Sequence, residues 1–174
     1  MRNIEHRLAQ RWTAGQAVEW TEKSDPADGS LVARVPMSPP EAIETAVKAA
    51  RAAAPGWART APSLRAAAVS AAALAVEQRA EDLAWLTMRE MGRPLREALA
   101  GVAAGVATLR QYAELGPLHR GRSLAGEWGA SDLMVFEPRG VVAVLTPWND
   151  PVAVSCGLLG AALVTGNTAI YKPS

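Results

Sequence analysis

The sequence holds one cysteine, Cys156, and two histidines in 174 residues, so neither an internal disulfide framework nor a cysteine-rich zinc site is available to it. A dominant charge is also lacking. Lysine plus arginine number 18 against 17 aspartate plus glutamate, with no run of like sign, which leaves no electrostatic footprint for nucleic acid or an anionic membrane. Long hydrophobic runs are absent too. The longest nearly apolar stretch, Val152 to Val164, is shorter than the ~20 residues of a membrane-spanning helix, and the opening text MRNIEHRLAQRW has no apolar signal core. These absences predict a cytoplasmic chain with no nucleic-acid and no membrane partner, and the length fits one domain.

What is present is punctuated. Gln16 to Trp20 and Leu31 to Val35 read as short strands around SDPADGS, where Asp28-Gly29 favours a turn. In SPPEAIETAVKAARAAAPGW, Ser38 is an expected cap, Pro39 the first helical residue and Glu41 the partner of a capping box. Ile43, Val47, Ala50 and Ala54 share a face, and Pro55-Gly56 is expected to end this helix. A second helix starts at Ser63 and runs through alanine-rich text; a third spans about Glu81 to Met91 and stops at Gly92. A fourth carries Leu95, Leu99, Val102, Val106, Leu109 and Ala113 at spacings of three and four before Gly116-Pro117.

From Ser131 the text turns β-branched and aromatic, giving two extended segments around a bend at Pro138-Arg139-Gly140. Val141 to Leu145 is an apolar strand, about Pro151 to Thr165 an apolar helix, and Thr168 to Tyr171 a strand after the Gly166-Asn167 turn. This is the size of a βαβ unit with parallel strands and an expected right-handed crossover. Trp148, Asn149 and Lys172 then fall at the carboxyl edge of the sheet, where open α/β sheets bind ligands. Taken singly, Trp148 reads as a packing residue, Asn149 as a turn residue and Lys172 as a solvated strand end.

The text EPRGVVAVLTPWNDP followed by GAALVTGNTAIYKPS resembles the P-x-G-V-V, P-W-N-x-P and G-N-x-x-x-x-K-P-S series of the aldehyde dehydrogenase superfamily, in order and at matching separation. SDPADGS, AVKAARAAAPGW and EMGRPLREA extend the likeness upstream, so that it covers roughly Glu19 to Ser174. The resemblance implies an α/β fold for residues 1–174: an incomplete doubly wound, Rossmann-like cofactor-binding domain with N-terminal helices and an antiparallel oligomerisation strand at residues 131–138. It further implies NAD or NADP as cofactor, an aldehyde substrate in the complete enzyme, and a homo-oligomer.

In that family a cysteine thiolate attacks the aldehyde, hydride passes to the nicotinamide, and a glutamate activates the water that hydrolyses the thioester. Asn149 matches the asparagine that holds the oxyanion, a kind of stabilisation worth about 3 kcal/mol in other oxyanion holes. By the same resemblance Leu145, Thr146, Pro147, Trp148, Lys172 and Ser174 line the cofactor groove, with Lys172 on the adenine-ribose hydroxyls. The family's G-Q-x-C and E-L-G-G motifs do not occur in this text, and AELGP around Glu114 only mimics the second. Asp150 stands where an aromatic residue is common. Cys156, in VSCGLLG with no histidine nearby, reads as a small buried hydrophobe rather than a substitute nucleophile. His6 and His119 read as surface residues, and Trp12, Trp20, Trp57, Trp85 and Trp128 as core or interface. The expectation is the N-terminal part of an NAD(P)-dependent aldehyde dehydrogenase, inactive by itself. The alternative is a short pseudoenzyme that binds a full-length relative or a nucleotide without chemistry.

Overall fold

The computed structural model describes residues 2–3, 5–8, 11–13 and 19–174. Three short strands, β1 (Arg2–Asn3), β2 (His6–Leu8) and β3 (Arg11–Thr13), precede β4 (Glu19–Ser24) and β5 (Leu31–Met37). β5 pairs antiparallel with β4 and parallel with β1, while β2 pairs with β3. The expected hairpin is therefore β4–β5; its expected start at positions 16–18 lies outside the described residues. Asp25 shapes the turn: its carboxylate accepts from Ala27 N–H at 2.9 Å and from Arg89 Nε at 3.0 Å, tying the hairpin to the helices.

Four helices follow: α1 (Pro40–Arg59), α2 (Pro62–Glu77), α3 (Ala80–Met91) and α4 (Leu95–Leu115). Two local expectations fail at α1. Its N-cap is Pro39 rather than Ser38, and Pro55 and Gly56 lie inside the helix instead of ending it. A proline costs a helix one internal donor, but here the last turn is held from outside. The Trp57 indole donates to Leu163 O at 2.9 Å, and Arg65 Nη1 donates to Ala58 O at 3.2 Å and Thr60 O at 2.5 Å. Gly92 ends α3 in the left-handed region, φ 72°, as its sequence position suggests.

Beyond a 3-10 turn at Gly116–Leu118, β6 (Arg122–Leu124) and β7 (Asp132–Met134) form an antiparallel ribbon. The extended segment expected over residues 131–138 is thus shorter, and its partner β6 was not anticipated, because three polar-flanked residues carry no alternation. The chain closes with β8 (Val141–Leu145), α5 (Pro151–Val164) and β9 (Thr168–Lys172), a parallel strand pair joined through a helix.

α4 is the hub. Val106 and Leu109 meet Val69 and Ala73 of α2 and Cys156 and Val164 of α5, while Ala98 and Val102 meet Ala84 of α3. Leu95, at the head of the expected apolar face, is exposed; Gly101 and Gly105, outside that face, are buried. The reason is close approach. A Cβ on Gly105 would stand 3.3 Å from the Ala153 backbone and 3.1 Å from Cys156 Sγ, so Gly105→Ala is expected to cost about 1–3 kcal/mol by overpacking. Chemical denaturation would register that as a lower midpoint at unchanged slope; no change would mean α5 can move away freely.

Candidate functional site

The β8–β9 register sets the site. Val141 lies opposite Thr168 and Leu145 opposite Lys172, so both strands finish together at one carboxyl edge. The start of the register is fixed by Asn167, which is 8% exposed. Its Oδ1 accepts from Gly140 N–H at 3.0 Å and its amide donates to Thr165 Oγ1 at 3.0 Å. Gly166 before it has φ 90°, and a Cβ there would lie 2.8 Å from Pro138 Cγ, which explains the glycine of the Gly-Asn pair. Thr168 Oγ1 sits 3.0 Å from Ala50 O, anchoring the strand to α1.

At the finishing edge, Leu145 is exposed, and Thr146 is buried with its N–H 3.4 Å from Lys172 O. The Thr146 hydroxyl has no hydrogen-bond partner among the described residues, an orphaned polar atom at the mouth of the loop. Pro147, Trp148 and Asn149 are exposed, Trp148 to 70%. Pro151 then occupies the first position of α5, a placement its fixed φ suits. Lys172 is the exposed last residue of β9, and Ser174 is exposed two residues on. Leu145, Thr146 and Lys172 are thus brought together, with Asn149 on the loop that leaves the same edge.

The loop is tied down by a residue outside the set of expected site residues. Arg93, in the link between α3 and α4, donates from Nη1 to Asn149 O at 3.2 Å. The same nitrogen lies 3.2 Å from Asp150 Oδ2, and Arg93 Nε lies 3.7 Å from Glu97 Oε2. Asp150 holds the N-cap position of α5 but makes no capping bond with its side chain; the carboxylate turns to Arg93 instead. The Arg93 and Glu97 pair at helical spacing was the one available signal.

Cys156 is 7% exposed within the α2–α4–α5 core, and burial pushes its thiol up from the ordinary cysteine value. A native sample should therefore resist thiol-modifying reagents at neutral pH and react only on unfolding; rapid labelling of folded protein would overturn the structural role. Among the other expectations, His119 is exposed and stacks on Phe136 at 4.5 Å. Trp57 is partly buried, whereas Trp20, Trp85 and Trp128 are exposed and none is core; the side chains of Trp12 and His6 lie outside the described residues. Among the described residues no cluster of metal-ligating side chains occurs, and no helix is long and apolar enough to cross a membrane.

Comparison with known proteins shows the family of the chain. The chain is 36% identical over 167 residues to an alpha-ketoglutaric semialdehyde dehydrogenase of Bacillus subtilis (strain 168), covering 94% of this chain and 34% of that protein. The structure superposes with a TM-score of 0.94 on an NADP-dependent glyceraldehyde-3-phosphate dehydrogenase of Bacillus halodurans C-125 complexed with NADP. That match has 27% identity and covers 100% of this chain and 38% of the other. PnpE in complex with nicotinamide adenine dinucleotide gives a TM-score of 0.92 at 27% identity, over 98% of this chain and 35% of its own. The chain therefore spans about a third of the length of the relatives it matches. A family model described as the aldehyde dehydrogenase family matches residues 12–174, and with these likenesses it establishes that the chain belongs to the aldehyde dehydrogenase family.

Proposed function

We propose that this chain supplies the oxyanion-binding asparagine and one wall of the dinucleotide groove of an NAD(P)-dependent aldehyde dehydrogenase that oxidises an aldehyde to the acid. The observation that carries the reading is the parallel β8–β9 register, which ends Leu145 opposite Lys172 beside the loop that bears Asn149. A bound dinucleotide supplies the hydride acceptor. The residues present fit such a group in kind. Lys172 offers ammonium donors to hydroxyl or phosphate oxygens, Leu145 and Trp148 offer exposed apolar surface, and the Thr146 hydroxyl is a polar group without a partner. Pro147 and Ser174 border this groove by position, and the whole of residues 1–174 belongs to an incomplete doubly wound domain. The Asn149 carboxamide donates to the oxygen that becomes anionic when a thiolate adds to the aldehyde. Cys156 is too deeply packed to be that thiolate.

Oligomerisation through the β6–β7 ribbon is part of the same proposal. Leu124, Trp128, Leu133, Val135 and Phe136 are all exposed around it, more apolar surface than a lone ribbon should leave in water. The compartment is the cytoplasm, and the expected partners are an aldehyde and further copies of the chain.

A second reading is a non-catalytic chain that binds a full-length relative or a nucleotide; it requires a partner to cover the two-stranded β8–β9 sheet, which pairs with no further strand among the described residues. One experiment separates them. The native protein is captured from its own cells with an antibody to this segment, its mass measured and its aldehyde-dependent reduction of NAD and NADP assayed. A mass well above 18.3 kDa together with turnover is expected. A mass equal to that value without turnover would sink the first reading in favour of the second.

A further inference from the structure

The loop that carries Asn149 is exposed over Pro147, Trp148 and Asn149, yet its backbone is fastened at one point from a distant part of the chain. We propose that Arg93 is the positioning residue for Asn149. Its guanidinium clamps the Asn149–Asp150 peptide so that the carboxamide projects from a fixed backbone at the carboxyl edge of the sheet. This rests on the oxyanion reading of Asn149 given above.

The geometry that carries it converges from the α3–α4 link and from two positions on α4. From the α3–α4 link, Arg93 Nη1 donates to Asn149 O at 3.2 Å and pairs with Asp150 Oδ2 at 3.2 Å. From the first turn of α4, Glu97 Oε2 lies 3.7 Å from Arg93 Nε and orients the fork from the other side. From the middle of α4, Gly101 gives Asp150 its room, since a Cβ there would lie 2.6 Å from Asp150 Oδ1. Arg93 is itself held. Gly92 before it is left-handed at φ 72°, Pro94 after it is the N-cap of α4, and a residue preceding proline is confined to extended backbone.

Arg93 and Asp150 are 26% and 28% exposed at their side chains, so the pair is better shielded than an ordinary surface bridge. A planar guanidinium can address a carbonyl and a carboxylate at once, which a lysine ammonium on a flexible stem does less well. An oxyanion donor is effective because it needs no reorganisation as charge develops, and a misplacement of about 1 Å can cost about 10²-fold in rate. Asp150 thereby acquires a purpose. At the position where the family resemblance suggests an aromatic side chain, this chain uses an ion pair to set the loop.

Nitrogen-15 relaxation of the complete polypeptide, selectively labelled at tryptophan, asparagine and aspartate, tests the clamp directly. Backbone order parameters for Trp148, Asn149 and Asp150 near the rigid value of about 0.85 are expected in the unaltered chain, falling below about 0.6 in Arg93→Met. Arg93→Lys should fall between, and Glu97→Gln, which removes the longer and more exposed contact to the guanidinium, should lower them less than Arg93→Lys does. Order parameters that stay high in Arg93→Met, that start low in the unaltered chain, or that fall equally everywhere would each overturn the proposal.

In the complete polypeptide, Arg93→Met should lower kcat about tenfold to a hundredfold with little change in KM for the dinucleotide; an equal loss of dinucleotide affinity would overturn it as well. Failure of the oxyanion reading would show separately, as Asn149→Ala leaving kcat intact while Arg93→Met still loosens the loop. That result would overturn the catalytic purpose of the clamp.

Discussion

Asn149→Ala in the complete polypeptide is expected to lower kcat for aldehyde oxidation by about 10²–10³-fold, with KM for aldehyde and dinucleotide nearly unchanged. The asymmetry follows from where the interaction forms. A carboxamide aimed at an oxygen that becomes anionic only on thiolate addition stabilises the transition state more than the bound aldehyde, so its loss appears in kcat. The backbone should not be disturbed, because its anchor at this residue is the Asn149 carbonyl held by Arg93, not the side chain. Steady-state kinetics with a thermal melt on the same sample give the answer. A kcat within threefold of the unaltered enzyme would reduce Asn149 to a turn residue.

Arg65→Met is expected to destabilise the chain by about 2–4 kcal/mol, the largest stability effect anticipated away from the core apolar residues. Arg65 is 9% exposed and forms no ion pair with a carboxylate among the described residues. Its charge is met instead by helix ends: Nε donates to Val164 O at 3.1 Å, the last residue of α5, and Nη1 to Ala58 O and Thr60 O at the end of α1. A cation among C-terminal carbonyls is favoured by the helix dipoles, and hydrogen bonds from a charged group are each worth about 1.5–3 kcal/mol net. Methionine fills much of the same volume but leaves these acceptors unanswered. For a chain of this size the loss corresponds to roughly 5–15 °C in Tm. A shift under about 2 °C would mean that water replaces the guanidinium without penalty.

Arg65 also shows why parts of this fold could not be read from the chain alone. In sequence it is one charged residue in an alanine-rich helix, and only the meeting of α1, α2 and α5 makes it a shared cap. Pro55-Gly56 misleads for the same reason, since its local preference to end a helix is outweighed by Trp57 and Arg65 holding the last turn from outside. Gly101 and Gly105 look like interruptions of an apolar face until α5 lies against them. Arg93 stands far from Asn149 in the chain, and no periodicity links a link-region cation to a loop carbonyl.

The sequence by itself determined what depends on neighbours along the chain. The four N-terminal helices, the stop at Gly92, the β4–β5 turn and the strand–helix–strand order at the end follow from punctuation and hydrophobic spacing. With them came the carboxyl-edge position of Lys172 and of the loop that bears Trp148 and Asn149, because a parallel pair joined through a helix allows only one such edge. Tertiary structure alone decided which small residues are buried, where α1 ends, what β7 pairs with, and how the Asn149 loop is fastened. Those depend on side chains and carbonyls distant in sequence meeting in space, where a bond of about 3 Å is made or lost by packing that no local pattern encodes.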